Sequence, residues 1–246
     1  KPKSQPERKK IEEKEGKPVF LTAKDILTMP KSPERFVKTG INDIDKRMRG
    51  LKTGYTSVIS GLRASGKSSV ISEICLDCVE AGNKVDVYSG ELSPQNFMRW
   101  MNLQAAGKAY AEPTQFEGYY NVSRQNQEKI AEWLSNNFSL YNNEYGNDFL
   151  AIKDQLERKF ERNKPDLVIL DNLMAFDIKS LSDNKYEAQT TFTWSLHEMA
   201  QEYDVHIMFV AHPRKAMGFL RLDDISGTAD IGNAVDNAFI VHRVNN

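Results

Sequence analysis

Five short runs of apolar, β-rich residues punctuate the chain: Thr56 to Ser60, Val85 to Tyr88, Leu167 to Leu170, Val205 to Ala211 and Ala238 to Val241. They are nearly continuous rather than alternating, which predicts strands covered on both faces. Stretches with helical spacing separate them, so the expected architecture is α/β: a mainly parallel, twisted sheet flanked by helices on both faces. In such sheets ligands collect at the carboxyl ends of the strands. Between Ala106 and Asn163 the pattern turns polar and rich in Tyr and Asn. Helices are predicted there around Gln125 to Asn136 and Phe149 to Arg162, and no chemistry is assigned to the interval.

The start of the chain is different. Lys1 to Lys17 mixes Lys, Arg, Glu and Pro with almost no apolar residue, a composition that cannot repay the entropy of ordering. Leu21 to Leu27 then reads as a short amphipathic helix, with Thr22 as cap and Pro30 near its end. A helix this short is marginal alone and is expected to dock on something. The expected division is therefore residues 1–35 as a charged linker with a docking helix, and residues 36–246 as the main domain.

Composition narrows the function classes. Across 246 residues, 33 Lys and Arg face 34 Asp and Glu, so any nucleic-acid contact must come from charge concentrated on loops. No run approaches the roughly 18 apolar residues of a membrane span, and the lysine-rich start lacks the apolar stretch of a signal peptide. A soluble, intracellular protein without a membrane partner is expected. Cys75 and Cys78 have C-x-x-C spacing, but they share a helical face with Val70, Ile71, Ile74 and Val79. No second pair exists to complete a zinc site of about four ligands, so both sulfurs are expected in the core.

The strongest chemical signal is Gly61-Leu62-Arg63-Ala64-Ser65-Gly66-Lys67-Ser68, a complete G-x-x-x-x-G-K-[ST] phosphate loop between a predicted strand and a predicted helix. Its glycines let backbone N–H groups turn toward phosphate oxygens, Lys67 carries charge to the β- and γ-phosphates, and the Ser68 hydroxyl reaches Mg²⁺. The stretch through Ser69 is the expected nucleotide contact, with no individual role for Arg63 or Ser69. ATP or another nucleoside triphosphate, with Mg²⁺, is the implied cofactor. Asp171 closes the run Leu167 to Leu170 and is the expected Walker B acid, organising the metal with Ser68. Hydrolysis also needs a group that deprotonates water, and Glu91, in Ser89-Gly90-Glu91-Leu92 just past a strand, is the candidate.

Taken in order, TGINDID (Thr39 to Asp45), the phosphate loop, SGEL, LVILDNL (Leu167 to Leu173), VAHPRK (Val210 to Lys215) and ISGTADIGNAVDNAFIVHR (Ile225 to Arg243) resemble the RecA-like motor of the DnaB and Twinkle helicase family. The likeness is strongest to Twinkle-like and phage primase-helicases and covers roughly Thr39 to Arg243. It implies a RecA-like P-loop NTPase core and an ATP-driven replicative DNA helicase, working as a hexameric ring that moves 5′ to 3′ on single-stranded DNA. Primase or other replisome proteins are implied as further partners. The place implied is the cytoplasm for a bacterial or phage-encoded protein and the mitochondrial matrix for a eukaryotic Twinkle type. The same resemblance makes Glu91 the water-activating residue, His212 the sensor of the γ-phosphate, and Arg243 the arginine inserted into a neighbouring subunit's site. It also makes the short N-terminal helix a connector that docks on the adjacent subunit. Two loops are candidates for the DNA channel: one from Met174 through Lys179 to Lys185, the other from Arg214 to Ser226 with Lys215 and Arg221. Their acids, Asp177, Asp183, Asp223 and Asp224, dilute that charge. A recombinase-type or clock-type RecA-like ATPase, and a helicase loader or regulator that uses nucleotide as a clamp, remain alternatives.

Overall fold

A computed structural model of the protein describes residues 18–31, 33–213, 218–225 and 229–244. The expected linker at Lys1 to Lys17, and Arg214 and Lys215 of the second DNA loop, lie outside the described residues. The chain separates into two compact units, Lys1–Glu34 and Arg35–Asn246.

Among the described residues of the first unit is one helix, α1 (Ala23–Thr28), started by a reciprocal cap between Thr22 and Asp25. The Thr22 N–H donates to Asp25 Oδ2 at 2.8 Å while the Asp25 N–H donates to Thr22 Oγ1 at 3.2 Å, satisfying two of the first-turn amides. Its apolar residues Phe20, Ile26, Leu27 and Met29 are exposed.

The second unit runs β1 (Phe36–Val37), α2 (Asn42–Met48), β2 (Leu51–Lys52), β3 (Thr56–Ser60), α3 (Lys67–Glu80), β4 (Val85–Ser89), α4 (Pro94–Tyr110), β5 (Ala111–Pro113), β6 (Tyr120–Val122), α5 (Arg124–Leu134), β7 (Phe138–Leu140), α6 (Phe149–Asn163), β8 (Leu167–Asp171), α7 (Lys185–Tyr203), β9 (His206–Val210), α8 (Ala229–Asn233) and β10 (Asn237–Ile240). The central sheet has six strands in the order β10-β3-β9-β8-β4-β7, every neighbouring pair parallel. The five apolar runs are five of these strands, and the predicted helices after Arg124 and Phe149 are present.

Alternation along the strands divides the core into two layers. Val168, Leu170, Ile207 and Phe209 pack with α6 and α7 on one face of the sheet. Leu167, Ile169, Met208 and Val210 pack with α3 and α4 on the other. This explains the scarcity of polar positions in the four inner strands: β3, β4, β8 and β9 are buried along their whole length, so both of their side-chain sets are largely apolar. Full burial of a residue such as Phe192 or Phe209 contributes about 1.5–3 kcal/mol. Cys75 and Cys78 are free and wholly buried, and burial pushes the Cys78 thiol up to about 12, so neither serves as a thiolate.

Two further features hold the frame. The Asp45 carboxylate accepts from the Thr39 N–H at 3.0 Å and the Gly40 N–H at 3.2 Å, so the TGINDID segment is a self-closing turn at the start of α2. The edge strand β7, absent from the sequence-based expectation, is fastened by a half-buried cluster in which Lys159 of α6 pairs with Asp86 of β4 and with Ser139 of β7. Among the described residues no helix is long and apolar enough to cross a membrane.

Candidate active site

The phosphate loop spans the gap between β3 and α3. Left-handed backbone at Ala64 (φ 61) and Gly66 (φ 100) curls the chain so that successive N–H groups face inward, the concave arrangement that accepts anionic oxygens. Gly61 is required by packing: a Cβ there would lie 2.5 Å from both the Ser65 hydroxyl and the Val241 carbonyl oxygen. Lys67 opens α3 and folds back over the loop, its ammonium donating to the Gly61 carbonyl at 2.8 Å and the Leu62 carbonyl at 3.1 Å. Burial lowers the Lys67 pKa, while Glu91 and Asp171 oppose that shift and favour the charged form.

Strands β9, β8 and β4 carry the remaining groups to the same edge. A cavity of about 910 Å³ is lined by loop residues 63–69 together with Glu91, Asp171, His212 and Trp100. Asp171 ends β8 and is 3% exposed. Burial first, and then the nearby Glu91, raise its carboxyl to about 6, with His212 and Lys67 pulling the other way. Gly90, following β4, donates its N–H to the Asp171 carbonyl at 2.5 Å, and any side chain at Gly90 would collide with Ala175. This close approach of two backbones places Glu91 beside Asp171.

Asn172 had no assigned role and is the functional group that sequence reasoning missed. It is buried, its amide donates to Glu91 Oε1, and its Oδ1 accepts from the Met174 N–H at 2.8 Å. His212 Nε2 lies 2.9 Å from Glu91 Oε1 and 3.1 Å from Asn172 Nδ2. A protonated Nε2 donates to the carboxylate, and an unprotonated one accepts from the amide. Glu91, Asn172 and His212, from three strands, thus form one hydrogen-bonded unit facing the loop. The only advance signal was Asn172's place directly after Asp171. Trp100 of α4 completes the wall, and Gln104 holds that helix to α3 by donating to the Ser69 carbonyl at 2.9 Å.

The residues present fit a nucleoside triphosphate and its cation. The Ser65 hydroxyl is buried without a hydrogen-bond partner among the described residues, the condition of a donor set aside for a ligand oxygen. No group of three or more His, Cys, Asp or Glu that could hold a metal by itself occurs among the described residues. A cation here would therefore draw most of its ligands from phosphate and water, as Mg²⁺ does, with Ser68 and Asp171 beside it.

Arg243 follows β10 and is exposed. It lines a different cavity, shared with the loop tip and not with Glu91, Asp171 or His212. Lys179 and Arg221 are exposed on their loops. The segment before Lys179 is anchored: Phe176 stacks on Tyr88 with ring centroids 4.2 Å apart, and the Asp177 carbonyl accepts from the Phe149 N–H at 3.0 Å.

The raised Asp171 pKa has a measurable consequence for stability. Because the folded value of about 6 exceeds the ordinary 3.8, folding favours the protonated form. That contribution is complete below about pH 4 and is lost as pH rises through about 6. Near pH 7.5, Asp171→Asn should raise unfolding stability by ~2–3 kcal/mol, read as a higher urea midpoint, with the gain vanishing near pH 4. A variant no more stable than wild type near neutrality would show that burial does not dominate this carboxylate.

Known proteins share this fold. The AAA domain family matches residues 23–218. A Twinkle homolog protein, chloroplastic/mitochondrial, of Arabidopsis thaliana is 25% identical over 220 residues, covering 84% of this chain and 30% of that protein. The chain thus spans under a third of that relative's length. Among solved structures, the ATPase domain of G40P superposes with a TM-score of 0.71 at 17% identity, covering 85% of this chain and 76% of that one. A DnaB-like replicative helicase, described with its primase interactions, gives a TM-score of 0.71 at 15% identity, covering 85% of this chain and 52% of that one. The chain belongs to the AAA domain family, and its fold is the RecA-like ATPase domain of the DnaB and Twinkle type.

Proposed function

We propose that this chain is the ATP-hydrolysing motor of a replicative DNA helicase, acting as a hexameric ring on single-stranded DNA. The observation that carries the reading is the convergence on one cavity of the phosphate loop, the buried acid Asp171 and the hydrogen-bonded Glu91, Asn172 and His212. Binding alone would need only the loop. A carboxylate held by two side chains from neighbouring strands is what activating a water requires.

In this reading the loop amides and Lys67 hold the triphosphate, while Ser68 and Asp171 hold Mg²⁺. The cation, when bound, neutralises charge between the β- and γ-phosphates. Glu91 accepts the proton of the attacking water, its orientation set by Asn172 and His212. His212 stands just after β9, and a change in its bonding on phosphate loss is the proposed signal to the DNA contacts, Arg214 and Lys215 among them. Those residues, with Lys179 and Arg221, are the proposed DNA contacts. Arg243 of one subunit completes the site of the next, and α1, with its exposed apolar residues, is the connector that docks on a neighbour.

The test is a turnover assay with and without single-stranded DNA, paired with displacement of a strand from a forked duplex. DNA should stimulate hydrolysis several-fold, and a fork with a free 5′ tail should be unwound. Hydrolysis that ignores DNA, or filaments in place of closed rings in electron micrographs, would shift the reading to a nucleotide-clamped regulator or a recombinase-type ATPase respectively.

A further inference from the structure

The polar interval between Ala106 and Asn163, to which the sequence assigns no chemistry, meets the active site just after β7. That strand pairs with β4 as far as Val87, and one further rung runs from the Tyr141 N–H to the Val87 carbonyl at 2.8 Å. In a parallel ladder the following rung would come from residue 143 and reach Ser89. The chain instead bends into a single 3₁₀ turn, Asn143–Tyr145, capped by Asn142 Oδ1, which accepts from the Glu144 N–H at 3.1 Å. A side chain supplies the missing rung: Asn143 Nδ2 donates to the Ser89 carbonyl at 2.8 Å and lies 3.5 Å from the Leu92 carbonyl. Both partners are acceptors, so it is the amide nitrogen that faces them. Those two carbonyls bracket Gly90 and Glu91.

Four residues on, the same segment grips the loop that follows Asp171. Asn147 Nδ2 donates to the Ala175 carbonyl at 2.8 Å, and the Asn147 carbonyl accepts from the Asp177 N–H at 2.9 Å. Ala175 is the residue against which Gly90 packs with no room for a side chain. Asp177 Oδ1 accepts from the Lys179 N–H at 3.1 Å, so the gripped stretch is the root of the loop that carries Lys179.

We infer that Asn143 and Asn147 form a brace that sets the backbone of Glu91 against the root of the loop after Asp171, and that displacement of this loop reaches Glu91 through it. Asn143 is then a positioning residue for water activation, and Asn147 ties that position to the loop. The inference rests on the reading of Glu91 as the base and of the loop at Lys179 as a DNA contact. Asn172 and His212 hold the Glu91 carboxylate, but where a carboxylate points also depends on the backbone that carries it. On the β8 side that backbone is fixed by the Gly90 N–H on the Asp171 carbonyl, and on the β7 side by Asn143. Asn143 Oδ1 is buried with no hydrogen-bond partner among the described residues, so the hydrogen bonds that fix this side chain are those of its nitrogen. Removing that donor frees one side of the segment without touching the phosphate loop, Asp171 or the carboxylate itself.

The experiment measures ATP turnover and ATP affinity of the whole chain, with and without single-stranded DNA, in Asn143→Asp, Asn143→Ser and Asn147→Ala. Aspartate keeps the shape of the side chain but, ionised, donates nothing; serine is neutral and too short to span the gap, so either decides the matter if the other fails to fold. Both Asn143 variants should lower kcat about 10- to 100-fold, the effect of a misplacement near 1 Å, with ATP affinity kept within about twofold of wild type. In a Glu91→Gln background they should lower the residual single-turnover rate by less than about twofold, because Asn143 acts through Glu91. Asn147→Ala should abolish most of the stimulation by DNA, and combining it with Asn143→Ser should remove no more than the larger single effect. The inference is overturned if the Asn143 variants turn over ATP like wild type, if they lose ATP affinity in parallel, if their full loss persists beside Glu91→Gln, or if Asn147→Ala leaves DNA stimulation intact. A wild-type chain that hydrolyses no ATP, or ignores DNA, sinks the motor reading on which the inference rests, a result seen before any substitution is made.

Discussion

Replacing Glu91 by Gln is expected to lower ATP turnover by about 10²- to 10⁴-fold while leaving nucleotide affinity close to wild type. The side chain keeps its length, and its carbonyl oxygen can still accept from the Asn172 amide that now donates to Glu91 Oε1. Only the capacity to take a proton from water is removed. Lys67, the loop and Asp171, which grip the phosphates and the cation in the proposed mechanism, are untouched. Phosphate release in a single turnover, alongside equilibrium binding of ATP, separates the two quantities. Turnover within about threefold of wild type would place the base elsewhere and leave the Glu91, Asn172 and His212 unit a structural clasp. A parallel loss of binding would mean that the carboxylate's charge supports Lys67 more than it serves chemistry, since Glu91 does favour the charged lysine.

How far this site could be read from the chain depends on how local each signal was. The phosphate loop is contiguous, and its chemistry is carried by residue types at fixed spacing, so Gly61 to Ser69 needed no fold to be recognised. Asp171 and Glu91 required only strand ends, and the apolar runs before them mark those ends because both faces of each strand are covered. Asn172 was invisible for the opposite reason. An asparagine after a strand is ordinary until β4 and β9 bring Glu91 and His212 to its side chain. The same holds for β7, three half-buried residues whose pairing depends on Asp86, Ser139 and Lys159 from three separate elements. The cavity on the β10 side of the phosphate loop was invisible for the same reason, because its walls Leu62, Phe219 and His242 are far apart in the chain.

Arg243→Ala is expected to reduce turnover by about 10³- to 10⁵-fold in the assembled protein, the range found for arginines that stabilise phosphoryl transfer. Within one chain Arg243 belongs to the cavity on the β10 side of the loop, whereas Glu91, Asp171 and His212 line the other, so it does not stand at the terminal phosphate of its own site. A contribution to the transition state would therefore have to be made in a second copy's site, and mixing experiments distinguish the cases. Lys67→Ala subunits lack a working cradle but keep Arg243; Arg243→Ala subunits have the cradle but lack the arginine. If the arginine acts across a head-to-tail interface, co-assembly in equal amounts creates intact sites at about a quarter of the contacts, and activity returns though neither variant has any alone. If it acts within its own chain, no mixture recovers. Equal inactivity of the mixture and its parents, in rings shown by light scattering to be mixed, would remove the shared site from the mechanism. Turnover that survives in the Arg243→Ala protein would remove the arginine itself.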